Sequence, residues 1–286
     1  MILPKNIQEK IANGDYEGLN IIEEQIDLNL QMNYFKRSGM LKKHVVTFEE
    51  ILEKVPILYD PDARLEEQRD ILVFLARIGN PEAFRIIEKF KNDAVGELKL
   101  WAAMAYRECK MLLESSLLDE DQILISTGMG GKGTSLRYFI GFMHKNETAF
   151  NEVETHILRG EFDSAIDKYG CEVESLEISG CIFRATVLIP LDVVVSNVIK
   201  EIVEGCVEMG NFLSEKLIVT NVKALTTDEI LSVAHGNMLE DDLFDVDSIE
   251  SSQYFALDDE SSDDDFEDDE DEDDDEDSDD GEDDRF

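Results

Sequence analysis

Over much of the first 115 residues apolar positions recur at spacings of three and four. Beyond residue 121 they alternate at a spacing of two, and this change divides the chain. Residues 1–60 read as irregular helices. Pro4 opens a short one that ends near Gly14. Asp15 caps a second, which carries Leu19, Ile22, Ile26 and Leu30, and Ser38-Gly39 marks a break. Thr47-Phe-Glu-Glu50 fits a capping box, in which hydroxyl and carboxylate satisfy free amides at a helix start. The helix it opens carries Ile51, Leu52 and Val55 and stops before Pro56.

Residues 62–115 give the clearest helical pattern. Leu65, Leu72 and Leu75 line a first helix. Ile78-Gly79-Asn80-Pro81 then places Gly past the helix end and Pro at the start of the next. Ala83, Ile87 and Phe90 line the second helix, and Leu98, Ala102, Ala105, Cys109 and Leu112 the third. Leu75-Ala-Arg-Ile-Gly-Asn-Pro-Glu-Ala83, a helix, then Leu100-Trp-Ala-Ala-Met-Ala105 resembles a HEAT-type helical repeat of the short bacterial form. The resemblance implies paired helices stacked into a curved interaction surface and transfers no catalytic residue.

In the second half, Ile123–Thr127 and Leu136–Met143 read as strands joined through the Gly-rich stretch Gly128–Gly133. Asn146 caps a helix with Phe150, Val153 and Ile157. Two strands turning at Ser179-Gly180 follow, with Cys181, Phe183, Ala185, Val187 and Ile189 on one face of the second. A helix carrying Val195, Ile199, Ile202, Cys206 and Met209, a strand over Lys216–Val222, and a capping box at Thr226-Thr-Asp-Glu229 complete the pattern. The expected class is α+β. A helical HEAT-like region (1–117) precedes an antiparallel α/β sandwich with ββα duplication and helices on one face (118–236). A linker alternating apolar and acidic groups (237–257) and a disordered polyacidic tail (258–286) follow.

Charge sharpens this picture. The tail holds 22 Asp or Glu and one basic residue, Arg285, in 29 residues, so it carries −21 of the chain's −41. Such a segment cannot bury enough apolar surface to offset its ordering entropy, and it predicts an extended polyanion. The remaining 257 residues still carry −20. An acidic body predicts neither direct nucleic-acid binding nor docking on anionic membranes. The start lacks a signal-peptide apolar region, no run is long enough to span a membrane, and a cytoplasmic protein is expected.

Candidate chemistry centres on one loop. Gly128, Gly130 and Gly131 could aim amides at a phosphate, with Lys132 and Arg137 adding charge. The nucleotide P-loop pattern is not met: Ser126 stands where its first Gly belongs and Gly133 where Ser or Thr belongs. A mobile hairpin is the default for such a loop. His44, His144, His156 and His235 are scattered, as are Cys109, Cys171, Cys181 and Cys206, with no metal-ligand spacing. Glu152 with Glu154 and Glu172 with Glu174 read as solvated faces, and Trp101 and Tyr106 as packing. No catalytic residue, metal or cofactor is predicted.

The function expected from these features is a non-enzymatic, chaperone-like binding scaffold whose tail engages a basic protein. Ribosomal proteins are the abundant clients of that chemistry. The alternative is an enzyme or sensor that takes a phosphate-containing ligand at residues 128–133. A third possibility is a component of a nucleic-acid complex, with the tail as a nucleic-acid mimic. The sequence does not set the oligomeric state.

Overall fold

The computed structural model describes residues 10–11, 13–118 and 122–235, together with the backbone of Tyr254–Phe255. The helix start expected at Pro4, the tail over 258–286 and the rest of the linker lie outside the described residues. No helix among the described residues is long and apolar enough to cross a membrane.

Leu19–Ile21 forms a strand, β1, where the sequence predicted a helix. The apolar spacing is served differently: Ile21, Ile22 and Ile26 are each buried, but as separate anchors along an extended connector. Asp27 ends the connector by accepting from the Asn29 and Leu30 amides, which starts helix α1 (Leu28–Leu41). The helix runs through the expected break at Ser38-Gly39. Ser38 is buried, and its hydroxyl donates to Glu108 at 2.8 Å, so the polar side chain has a partner inside the helical layer.

Thr47 and Glu50 form the predicted capping box at α2 (Phe48–Lys54), and a 3₁₀ turn, Val55–Tyr59, follows. Next come α3 (Leu65–Ile78), α4 (Pro81–Asp93) and α5 (Gly96–Leu118). Gly79 closes α3 in the left-handed conformation, at φ 60°, and Asn80 caps α4 with Pro81 in its first turn. Tyr34, Ile51, Leu72, Leu75, Ile87, Trp101 and Cys109 are packed into one core, whereas Leu65 faces solvent.

The α+β class is as expected, and the sheet is antiparallel. From residue 131 its chain order is ββα, ββα, β, as expected, and only the pairing of the strands differs. Strand β2 (Ile123–Ile125) does not pair with the strand that follows it. It pairs in parallel with β1, Leu19 opposite Ile123 and Ile21 opposite Ile125, a hundred residues back. A short hairpin, β3 (Gly131–Lys132) and β4 (Ser135–Met143), then leads into α6 (Glu152–Lys168), β5 (Glu172–Ser179), β6 (Ile182–Pro190), α7 (Val195–Met209) and β7 (Ile218–Thr220). Spatial order is β7-β4-β6-β5, so the larger sheet is two βαβ halves interleaved, a ferredoxin-like βαββαβ arrangement.

Alternation decides the faces. Leu136, Tyr138, Ile140 and Phe142 of β4, with Phe183, Val187 and Ile189 of β6, pack beneath Leu158 and Phe162 of α6 and Ile199 and Ile202 of α7. The opposite face is not bare. Helix α8 (Thr227–Ala234), opened by the predicted Thr226–Glu229 capping box, packs Ile230 there with Phe139, Ile182, Ile218 and Met129. Tyr254–Phe255 forms β8, antiparallel to β2, so this point of the linker lies against the small sheet.

The Gly-rich stretch is a packed joint, where the sequence predicted a mobile hairpin tip. Gly128, Met129, Gly130 and Gly131 are all buried. Gly130 has φ 66°, and a Cβ there would sit 2.5 Å from the Glu24 carbonyl oxygen and 2.6 Å from that of Glu23. The true hairpin turn comes after it, at Gly133, which also has positive φ but open space around it. We expect Gly130→Ala to destabilise the protein by about 3 kcal/mol or more and Gly133→Ala by only about 1 kcal/mol. Thermal melts of the two variants check this; equal shifts would contradict the packed joint.

Candidate functional site

Each residue of the predicted phosphate loop has a structural partner. The Met129 amide donates to the Asn221 carbonyl at 2.9 Å and the Gly130 amide to that of Thr127 at 3.2 Å. Gly128 abuts Val222, and Gly131 lies against Ser135 and Ile21. Lys132 donates to both Glu172 oxygens, at 2.9 and 3.1 Å. Arg137 forks onto Glu174, with Nη2 2.9 Å from Oε1 and Nε on Oε2. Its Nη1 donates to the Met129 carbonyl and, at 3.2 Å, to the Glu23 carbonyl. The five residues are brought together, as clamps between the joint and β5. Glu172 and Glu174, expected on a solvated face, are the carboxylates of these clamps.

Several groups able to do acid–base or nucleophilic chemistry are enclosed, whereas His44, His156 and His235 are exposed. Glu108 is 2% exposed, accepts from the Tyr34 and Ser38 hydroxyls, and is pushed above the usual carboxylate range by burial. Burial raises the Cys109 and Cys206 thiols to about 12 and Cys171 to about 11, so none supplies a thiolate near neutrality. His144, at the end of β4, accepts the Asn146 amide on Nδ1 at 3.2 Å. That bond leaves the proton on Nε2, which faces Glu154 at 3.5 Å; the pair braces the turn into α6. Among the described residues no cluster of three or more His, Cys, Asp or Glu could hold a metal ion.

One surface departs from the rest of the molecule. Helix α1 contains no Asp or Glu, while every other α-helix named above carries at least two. Its inner face buries Gln31, Tyr34, Phe35, Ser38 and Leu41. Its outer face presents Asn29, Met32, Asn33, Lys36, Gly39 and Met40, all exposed, and Lys42, Lys43, His44 and Val45 extend it past the helix end. The spacing of three and four puts Asn29, Asn33, Lys36, Met40 and Lys43 in one stripe. Arg37, on the flank, is taken by Asp70 through a two-bond fork of 2.6 Å each. Lys36 and Lys43 have no carboxylate partner among the described residues. Two other long acid-free runs, 122–146 and 178–191, are largely strand; within them Lys132, Arg137 and Arg184 are ion-paired and Lys145 donates to the Asn211 carbonyl. Whole-chain charge concealed this face; the signal that could have found it is the absence of any acid from residue 28 to residue 48.

No family model matches the chain, and no curated protein matches it. Among solved structures it is similar to a putative transposase from Deinococcus radiodurans R1, with 15% identity over 37% of this chain and 94% of that one, at a TM-score of 0.32. It is also similar to a REP-associated tyrosine transposase bound to a REP hairpin, with 13% identity over 38% of this chain and 72% of that one, at a TM-score of 0.28. Both are described as transposases, neither as a scaffold or chaperone, and the expected non-enzymatic, chaperone-like assignment is set aside.

The Arg137–Glu174 clamp has a pH signature. Arg137 holds the Glu174 carboxyl below its ordinary range, so the contribution is present above the unfolded pKa and is lost as pH falls through the lowered folded one. Glu174→Gln should cost about 1–2 kcal/mol at pH 7 and progressively less under acid conditions. Paired thermal melts at neutral and acid pH test it; a deficit independent of pH would remove the charge from the explanation.

Proposed function

We propose that this protein is a nucleic-acid-associated protein that contacts the polyanion through the outer face of α1. The observation that carries the proposal is the acid-free stripe Asn29–Asn33–Lys36–Met40–Lys43 on a chain that has 67 acidic residues against 26 basic ones. Ammonium groups neutralise phosphates and release counterions, while Asn side chains both donate and accept, as base edges and sugars require. An acidic peptide offers carboxylates, which use the donors only. The proposal departs from the expectation drawn from net charge, because contact is governed by the charges within a screening length of about 8 Å.

The test is fluorescence anisotropy of full-length protein with labelled DNA and RNA oligonucleotides across a salt series. Lys36→Gln/Lys43→Gln should weaken binding about tenfold at low salt and flatten the salt dependence by about 1.5 in logarithmic slope, for two lost phosphate contacts. Lys200→Gln on α7, where Lys200 sits 3.6 Å from Glu204, should change neither. Binding unaltered in the double variant, or none by the wild type to any oligonucleotide, would refute the assignment.

A further inference from the structure

We infer that the polymer taken by α1 is single-stranded; this rests on the nucleic-acid assignment above and names its substrate class. Two observations carry it. First, the favourable strip is one helix wide. Asp27 caps its start, and α3 stands along its flank, where Asp70 forks onto Arg37 and Glu66 lies near the same guanidinium. A duplex presents phosphates on both sides of a groove about 12 Å wide, so seating it would carry one backbone onto these carboxylates. A single strand needs one line of cations, and the strip supplies one.

Second, the cations are interleaved with exposed apolar groups. Met32 is 40% exposed, Met40 53% and Val45 98%. Met32 lies one turn before Lys36, and Met40 lies between Lys36 and Lys43. A duplex hides its base faces in the stack, whereas an unpaired strand offers them to apolar side chains while its phosphates reach the ammonium groups. Methionine, unbranched and polarisable, adapts to any base, so the contact is tolerant of sequence. Asn29 and Asn33, on the same stripe, can hydrogen-bond the exposed edges.

The experiment compares one labelled strand with the blunt duplex of the same sequence and length, on the full chain. The single strand should bind about tenfold more tightly. Met32→Ser/Met40→Ser should weaken the single strand about fivefold, leave its salt slope unchanged, and leave the melting temperature within about one degree, since both side chains face solvent. Duplex binding equal to or tighter than single-strand binding would overturn the inference while the nucleic-acid assignment stood. So would a methionine double variant that binds the strand as well as the wild type. Displacement of the strand by poly-glutamate at equal charge concentration would show a face that reads charge alone and would overturn it too. Failure of every oligonucleotide to bind would take down both.

Discussion

Backbone contact at Gly130, with the Arg137 fork across it, is the constraint on which the placement of everything else depends. The chain between β1 and α1 passes so close that only glycine fits beneath the Glu23 and Glu24 carbonyls. Arg137 fastens the same connector to the loop and to β5. From the other side, Lys91 of α4 reaches Glu24 at 3.1 Å, and Arg107 of α5 reaches Glu23 at 3.2 Å. Gln31, one turn into α1, donates to the Ile26 and Thr127 carbonyls at 2.7 and 3.0 Å. The start of α1 is therefore held from the helices and from the sheet at once. A buried inner face and a wholly solvent-facing outer stripe follow from that fixed start and the helical period.

Local signals were legible in the sequence where local physics decides. The Thr47 and Thr226 capping boxes, Gly79 with Pro81, and the alternation of β4 and β6 each depend on residues within one turn or one hairpin. What escaped was non-local. β1 is three residues long, and its partner lies a hundred residues away, so no periodicity within it outweighs the helical spacing of Leu19, Ile22 and Ile26. The Gly-rich stretch was misjudged for a related reason. Clustered glycine reads as freedom from sequence alone, but here the missing Cβ atoms admit other backbone segments, a use visible only once Glu23, Glu24 and Val222 are in place.

The site was hidden by averaging. Net charge sums over all residues, whereas a contact samples a patch about one screening length across. Many cations among the described residues illustrate the point: Arg37, Lys91, Arg107, Lys132, Arg137, Lys168 and Arg184 each lie against a carboxylate. In a protein so rich in Asp and Glu that outcome needs no selection, because an acid is often within reach.

The same abundance makes an acid-free helix informative. For Lys36 and Lys43 to stand on a helix face without a carboxylate, acids must be missing from every neighbouring turn of α1. They are missing from 28 to 48, a stretch with Lys36, Arg37, Lys42 and Lys43. Fold stability does not require this. An acid placed four residues before Lys36 would add a few tenths of a kcal/mol to the helix, and α5 has an i,i+4 pair of the opposite order at Lys110 and Glu114. A helix that forgoes that gain and keeps Met32 and Met40 in water, on a surface elsewhere acidic, fits the contact proposed above. The chemistry of that contact is set by what remains on the stripe: ammonium, amide and thioether, the groups that meet phosphate, base edge and base face.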